Sequence, residues 1–266
     1  MKLRMNGIRI LAGASIGMLI AAVPAAAQIL ETETARPVGR GIFEIGSNFE
    51  YQTSSEGHEL ALPFAVEYGI SDRLEFLVEP VAYTAIRPKV GTRATGAGDV
   101  EATLTYLLHR ETAGVLALAL AGEVKIPTTN NTLISTGKTD YTGYVIGSKR
   151  FGRLDTHADV GYTIVGRPAG VQLKNVWNFA LGWERTLSAA SELYGEFIGN
   201  TAASATPEGT GPTPPGTTTP EAPSGEFVAS LGVARYVIPS LRLSLGLSID
   251  NNSAVLFRPG FTIRTH

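Results

Sequence analysis

Cysteine is absent from all 266 residues, which excludes a disulfide framework, a cysteine-based zinc site and a thiol nucleophile. Charge is scarce as well. Asp, Glu, Lys and Arg make up 17% of the chain, less than a soluble enzyme of this length usually carries. A mean hydropathy of +0.09 is also far below that of a bundle of membrane helices, and beyond the leader no apolar run reaches the roughly 20 residues that a spanning helix needs. Basic character is missing too, so a nucleic-acid partner is not expected.

The N-terminus reads as an export leader. Lys2, Arg4 and Arg9 form a basic head, Ile10 to Ala22 an apolar centre, and Ala25-Ala26-Ala27 before Gln28 a small-residue cleavage site. An N-terminal membrane helix fits less well, because the apolar run is short and ends at Pro24. Residues 1–27 are therefore expected to be a signal peptide. Its removal takes Lys+Arg from 22 to 19 against 24 Asp+Glu, so the formal charge moves from −2 to −5.

What the rest of the chain does have is a cadence. Segments of about ten alternating residues recur to the end, near 41–53, 58–70, 73–84, 98–109, 114–127, 139–151, 154–166, 171–186, 190–201, 225–237, 240–250 and 254–264. Leu60, Leu62, Phe64, Val66, Tyr68 and Ile70 alternate with Ala61, Pro63, Ala65, Glu67 and Gly69, and Leu241 to Ile249 repeats the pattern against Arg242, Ser244, Gly246, Ser248 and Asp250. The segment from Val171 through Leu173, Trp177, Phe179, Leu181 and Trp183 is read the same way. A period of two gives each strand one oily and one wet face. The gaps alternate short and long, with the longest at 85–97, 128–138 and 202–224.

These features predict an all-β fold: an antiparallel up-and-down transmembrane β-barrel of about 12 strands over 41–266, with 28–40 as a periplasmic N-terminal segment and the Pro/Thr/Gly-rich 202–224 as an extracellular loop. A soluble β-sandwich also alternates, but it does not account for so many long strands with one oily face each. Tyr51, Tyr68, Tyr83, Trp183 and Tyr236 suit the aromatic girdles of such a barrel.

The candidate lumen-lining residues are Glu67, Glu75, Glu79, Asp99, Glu101, Glu123, Lys125, His157, Asp159, Lys174, Glu184, Glu196, Arg242 and Arg258. Carboxylates dominate the wet faces, which reads either as a cation-favouring bore or as side chains packing a narrow interior. Asp99, in Gly96-Ala97-Gly98-Asp99, is expected to bond local backbone, since this run lacks the lysine and helix of a phosphate loop. Asp155-x-His157-x-Asp159 places three polar groups on one face. A metal or proton-relay site is conceivable there, and a lumenal hydrogen-bond network is the plainer reading. A hydrolase would need a serine beside His157, and Ser148, near the same end of the neighbouring strand, has an undetermined face. No catalytic residue, metal site or cofactor is assigned.

The run Gly96 to Glu101 with its strand to Tyr106, then Val124-Lys125-Ile126-Pro127-Thr128, Thr136-Gly137-Lys138-Thr139-Asp140-Tyr141, Ser148-Lys149-Arg150-Phe151-Gly152 and Asp159-Val160-Gly161-Tyr162 resembles the outer-membrane proteins grouped as meta-pathway phenol-degradation transporters. The similarity runs, with gaps, from about Pro37 to the C-terminus. It implies a barrel that passes small solutes, including aromatic or apolar ones. A departure is the chain end, Phe261-Thr262-Ile263-Arg264-Thr265-His266, where many such barrels finish on an aromatic residue.

The expected function is a passive outer-membrane channel or facilitator, exported to the bacterial outer membrane. Its partners would be outer-membrane lipid, the barrel-assembly machinery and an unnamed small solute. A non-conducting structural barrel is the alternative, and an outer-membrane hydrolase ranks behind both.

Overall fold

A computed structural model describes residues 32–203 and 225–265. The leader expected over 1–27 and most of the loop expected over 202–224 lie outside the described residues. Every regular element among the described residues is a strand, and no helix is long and apolar enough to cross a membrane.

The strands are β1 (Phe43–Asn48), β2 (Glu50–Thr53), β3 (Gly57–Ser71), β4 (Leu74–Pro88), β5 (Ala94–Gly96), β6 (Val100–His109), β7 (Ala117–Ile126), β8 (Asp140–Phe151), β9 (Leu154–Ile164), β10 (Val176–Ser188), β11 (Ser191–Asn200), β12 (Phe227–Ile238), β13 (Leu241–Asp250) and β14 (Val255–Arg264). β1 and β2 are two halves of one staves' length, interrupted at Phe49, and both pair with β3 on one side and β14 on the other. That double pairing closes the sheet. β5 is a short strand added beside the outer end of β4. The result is a closed antiparallel barrel of 12 strands, so no lipid-facing edge is left with unpaired backbone groups.

The period-two pattern decides the facing. On β13, Leu243, Leu245, Leu247 and Ile249 point outward while Arg242, Gly246 and Ser248 are buried inside. On β3, Tyr68 and Ile70 are outside, and Ala65 and Glu67 are inside. The exterior is apolar over most of its height: Leu231 and Leu247, both 55% exposed, stand for a band that water would penalise and hydrocarbon would not.

Three expectations need correction. The barrel strand expected from 171 begins at Val176, because Leu173 turns inward to pack with Val165, Val176 and Ala203 at the strand mouth. The gap expected over 85–97 is partly strand, since β4 runs to Pro88 and meets β5. Tyr236 lies opposite Arg242, whose guanidinium sits 5.9 Å from its ring centroid, so it belongs to the inner rim and not to an outer girdle. Tyr51, Tyr68 and Tyr83 are exposed on the outside, as a girdle requires.

Candidate functional site

The bore is not an empty tube. Residues 32–38, expected in a periplasmic segment, instead cross the interior at the end where the short turns lie. Val38 N–H donates to Glu75 Oε2 at 2.5 Å on β4, Ala35 N–H to Ser148 Oγ at 2.8 Å on β8, and Glu33 N–H to Asp159 Oδ2 at 2.7 Å on β9. Thr32 N–H then reaches Glu196 Oε2 on β11 at 3.2 Å. The segment thus passes from one wall to the opposite one, and Thr32, Glu33 and Ala35 are buried. No strand pairs with it. Its backbone donors are met by wall side chains, so it is held in the bore without being woven into the sheet.

The wall is cut to receive it. Ala117, Ala119 and Ala121 face inward on β7 and, with Leu107, Tyr144 and Ile146, form a shelf on which Ala35 rests. Opposite, a Cβ on Gly69 would collide with the carbonyl oxygens of Gly39 and Val38, so only glycine lets the chain lie so close to β3. Arg36 completes the attachment at the turns: Nη2 is 2.6 Å from Glu111 Oε2 and 2.9 Å from Asp155 Oδ1. Glu111, in the β6–β7 turn, is held down at about 2, first by the backbone N–H of Arg150 and then by the Arg36 side chain.

Of the candidate lining residues, Glu67, Glu75, Glu79, Glu101, Glu123, Lys125, His157, Asp159, Glu196, Arg242 and Arg258 are buried on inward positions, and Glu184 is half-buried beside them. Two do not line the barrel wall. Lys174 precedes β10, exposed in a loop, with its backbone N–H bonded to Ala203 O. Asp99 precedes β6 and accepts from Thr128 N–H at 3.1 Å, Thr129 N–H at 3.4 Å and the Ser135 hydroxyl, so in place of the local backbone expected it ties its turn to the loop after β7.

The charges are partitioned. Arg242 pairs with Glu184 at 2.9 Å and Glu192 at 2.6 Å, and Arg258 with Glu50 at 3.2 Å and Glu196 at 3.4 Å, so each of these carboxylates has a guanidinium beside it. Across the bore, β3, β4, β6 and β7 carry Glu67, Glu75, Glu79, Glu101 and Glu123. Lys125 is there too, but it is drawn 2.5 Å from Asp140.

The face of Ser148, undetermined from sequence, is the inward one. Ser148 stands in register with His157, and Oγ lies 2.9 Å from Nδ1. A hydrolase would need the third member aligned and the hydroxyl open to substrate. Here Asp155 is 4.0 Å from His157 Nε2 and is bonded to Arg36 and Arg150, while the serine oxygen receives Ala35 N–H. The pair anchors the segment. The signal that could have revealed it is the row of inward alanines on β7: small residues on a wet face leave room for another part of the chain.

Comparison by sequence finds no match among family models or curated proteins. Comparison by structure does. The chain is similar to the COG4313 outer membrane channel from Pseudomonas putida F1, with a TM-score of 0.66 and 11% identity over 87% of this chain and 98% of that one. It is similar to the NanC porin, with a TM-score of 0.57 and 11% identity over 82% and 98%, and to the KdgM porin, with 0.54 and 8% over 83% and 99%. At these identities the likeness establishes the fold, that of outer-membrane β-barrel channels.

Proposed function

We propose that this chain is an outer-membrane channel through which small solutes pass down their gradients, with a carboxylate-rich bore narrowed by its own N-terminal segment. One observation carries the reading: the interior holds a wall of charged side chains and a segment that lies in the bore without being paired into the sheet, where a purely structural barrel could fill itself with apolar packing. A passive barrel has no energy source, so selectivity rests on width and charge. The aromatic or apolar cargo implied by the resemblance, export by the leader, assembly by the barrel-assembly machinery and contact with outer-membrane lipid belong to the same proposal.

A second reading, a sealed structural barrel, draws on the same anchors, since Ser148, Asp159 and Glu196 hold the segment in place. Planar-bilayer recording under a KCl gradient separates the two. The mature protein should show discrete steps with a cation-selective reversal potential, weakened by Glu67→Gln or Glu79→Gln, and deletion of residues 28–38 should raise the unit conductance. Silence from both proteins, each demonstrably folded, would leave the sealed barrel.

A further inference from the structure

The acidic wall is under-partnered in a way that points to a ligand. Both carboxylate oxygens of Glu67 and both of Glu79 are buried with no hydrogen-bond partner, as is Glu33 Oε1 on the crossing segment. Glu67 and Glu79 are 1% and 4% exposed, far inside the barrel. Around Glu79 the charged neighbours are Glu33, Glu101, Glu123 and Glu67, all acidic. Of the basic groups nearby, Lys125, which stands opposite Glu101, pairs with Asp140, and Arg264 pairs with Glu44 at 3.5 Å.

The spacing selects the kind of cation. Glu79 lies directly opposite Glu101, while Glu67 is opposite Leu77, one step diagonal from both Glu75 and Glu79, and Glu123 is opposite Thr103. Diagonal neighbours on a sheet face stand roughly 7–8 Å apart. Among the described residues no three carboxylates converge as a metal ion would require. Carboxylates dispersed over four strands instead suit several cationic heads on one chain, each meeting one or two oxygens. The buried hydroxyl of Thr103, likewise without a partner, adds an acceptor between Leu77 and Glu123.

We infer that the wall formed by Glu67, Glu79, Glu101 and Glu123, together with Glu33 of the crossing segment, is a binding site for a linear organic polyammonium ion. Its ammonium groups take the unpartnered oxygens of Glu67 and Glu79 and bridge them to Glu33. Bound there, the ion bridges segment and wall and fastens the segment in the bore. The site builds on the channel reading in placing a ligand in the lumen, but binding itself does not require conduction.

The test is calorimetric titration of the mature protein in detergent micelles with spermidine, and with Mg²⁺ as the comparison. Wild type should bind spermidine saturably and more tightly than Mg²⁺. The Glu67→Gln/Glu79→Gln double variant should bind it at least about tenfold more weakly. Glu33→Gln, which lies off the strands and so spares the sheet, should weaken it as well and carries the test if the double variant does not fold. No saturable spermidine uptake by wild type, unchanged affinity in the folded variants, or tighter binding of Mg²⁺ than of spermidine would each overturn the inference. Because micelles have no two compartments, these results are independent of whether the barrel conducts.

Discussion

Arg36 is the residue on which the crossing segment turns. Its guanidinium joins Glu111 and Asp155 at the short-turn end, so Arg36→Ala should leave residues 32–38 less firmly held and make the open-channel current flicker more. The pH dependence has a definite sign. Glu111 is lowered from 4.5 to about 2, so its charge, and the tie to Arg36, persists below the ordinary carboxylate range and is lost only as pH falls through about 2. The difference in flicker between wild type and Arg36→Ala should therefore be the same at neutral pH and near pH 4. If wild type already behaves like the variant near pH 4, Glu111 is not the tether.

Among the elements, β12 and β13 show how tightly one stretch of wall is built. Gly232 and Gly246 lie under the buried Tyr194 ring, and a Cβ on Gly232 would run into that ring and into Leu245 O. Gly232→Ala should cost about 1–3 kcal/mol through overpacking, read as a lower urea midpoint for loss of the heat-modifiable folded band. Gly143→Ala, on the open outer face of β8 with nothing within 4 Å, should leave that midpoint unchanged. The same strands show what sequence could reveal. All twelve barrel strands were legible, because alternation is a local signal enforced by lipid on one side and a wet bore on the other. The start of β10 was not, since Val171 and Leu173 continue the alternation in a loop where Leu173 is buried by packing and not by a strand. The crossing segment was illegible for a deeper reason: Thr32 to Val38 has no period, and its partners Glu75, Ser148, Asp159 and Glu196 lie 37 to 164 residues away. Most of the lining was still found, because inward carboxylates stand out against their apolar neighbours.

On the scale of the whole molecule, the modest formal charge hides a sorting by side. Among the described residues Glu56 and Asp72 are the exposed acids, whereas Arg40, Arg73, Arg110, Arg153, Arg185 and Arg235 are exposed bases. Acid is kept in the bore and base at the rims, with an uncharged band between them on the outside. That band is what a bilayer demands and what a water-soluble sandwich would have to cover with a second sheet. The demand depends on depth, which makes it measurable. Leu245→Arg, midway along β13, should destabilise the barrel folded in lipid vesicles by about 2–4 kcal/mol, while Leu241→Arg, at the β12–β13 turn, should cost only about 0–1 kcal/mol. Equal costs at the two positions would mean that the outer face of β13 does not sit across a hydrocarbon layer, and the membrane-spanning reading of the oily face would fail with it.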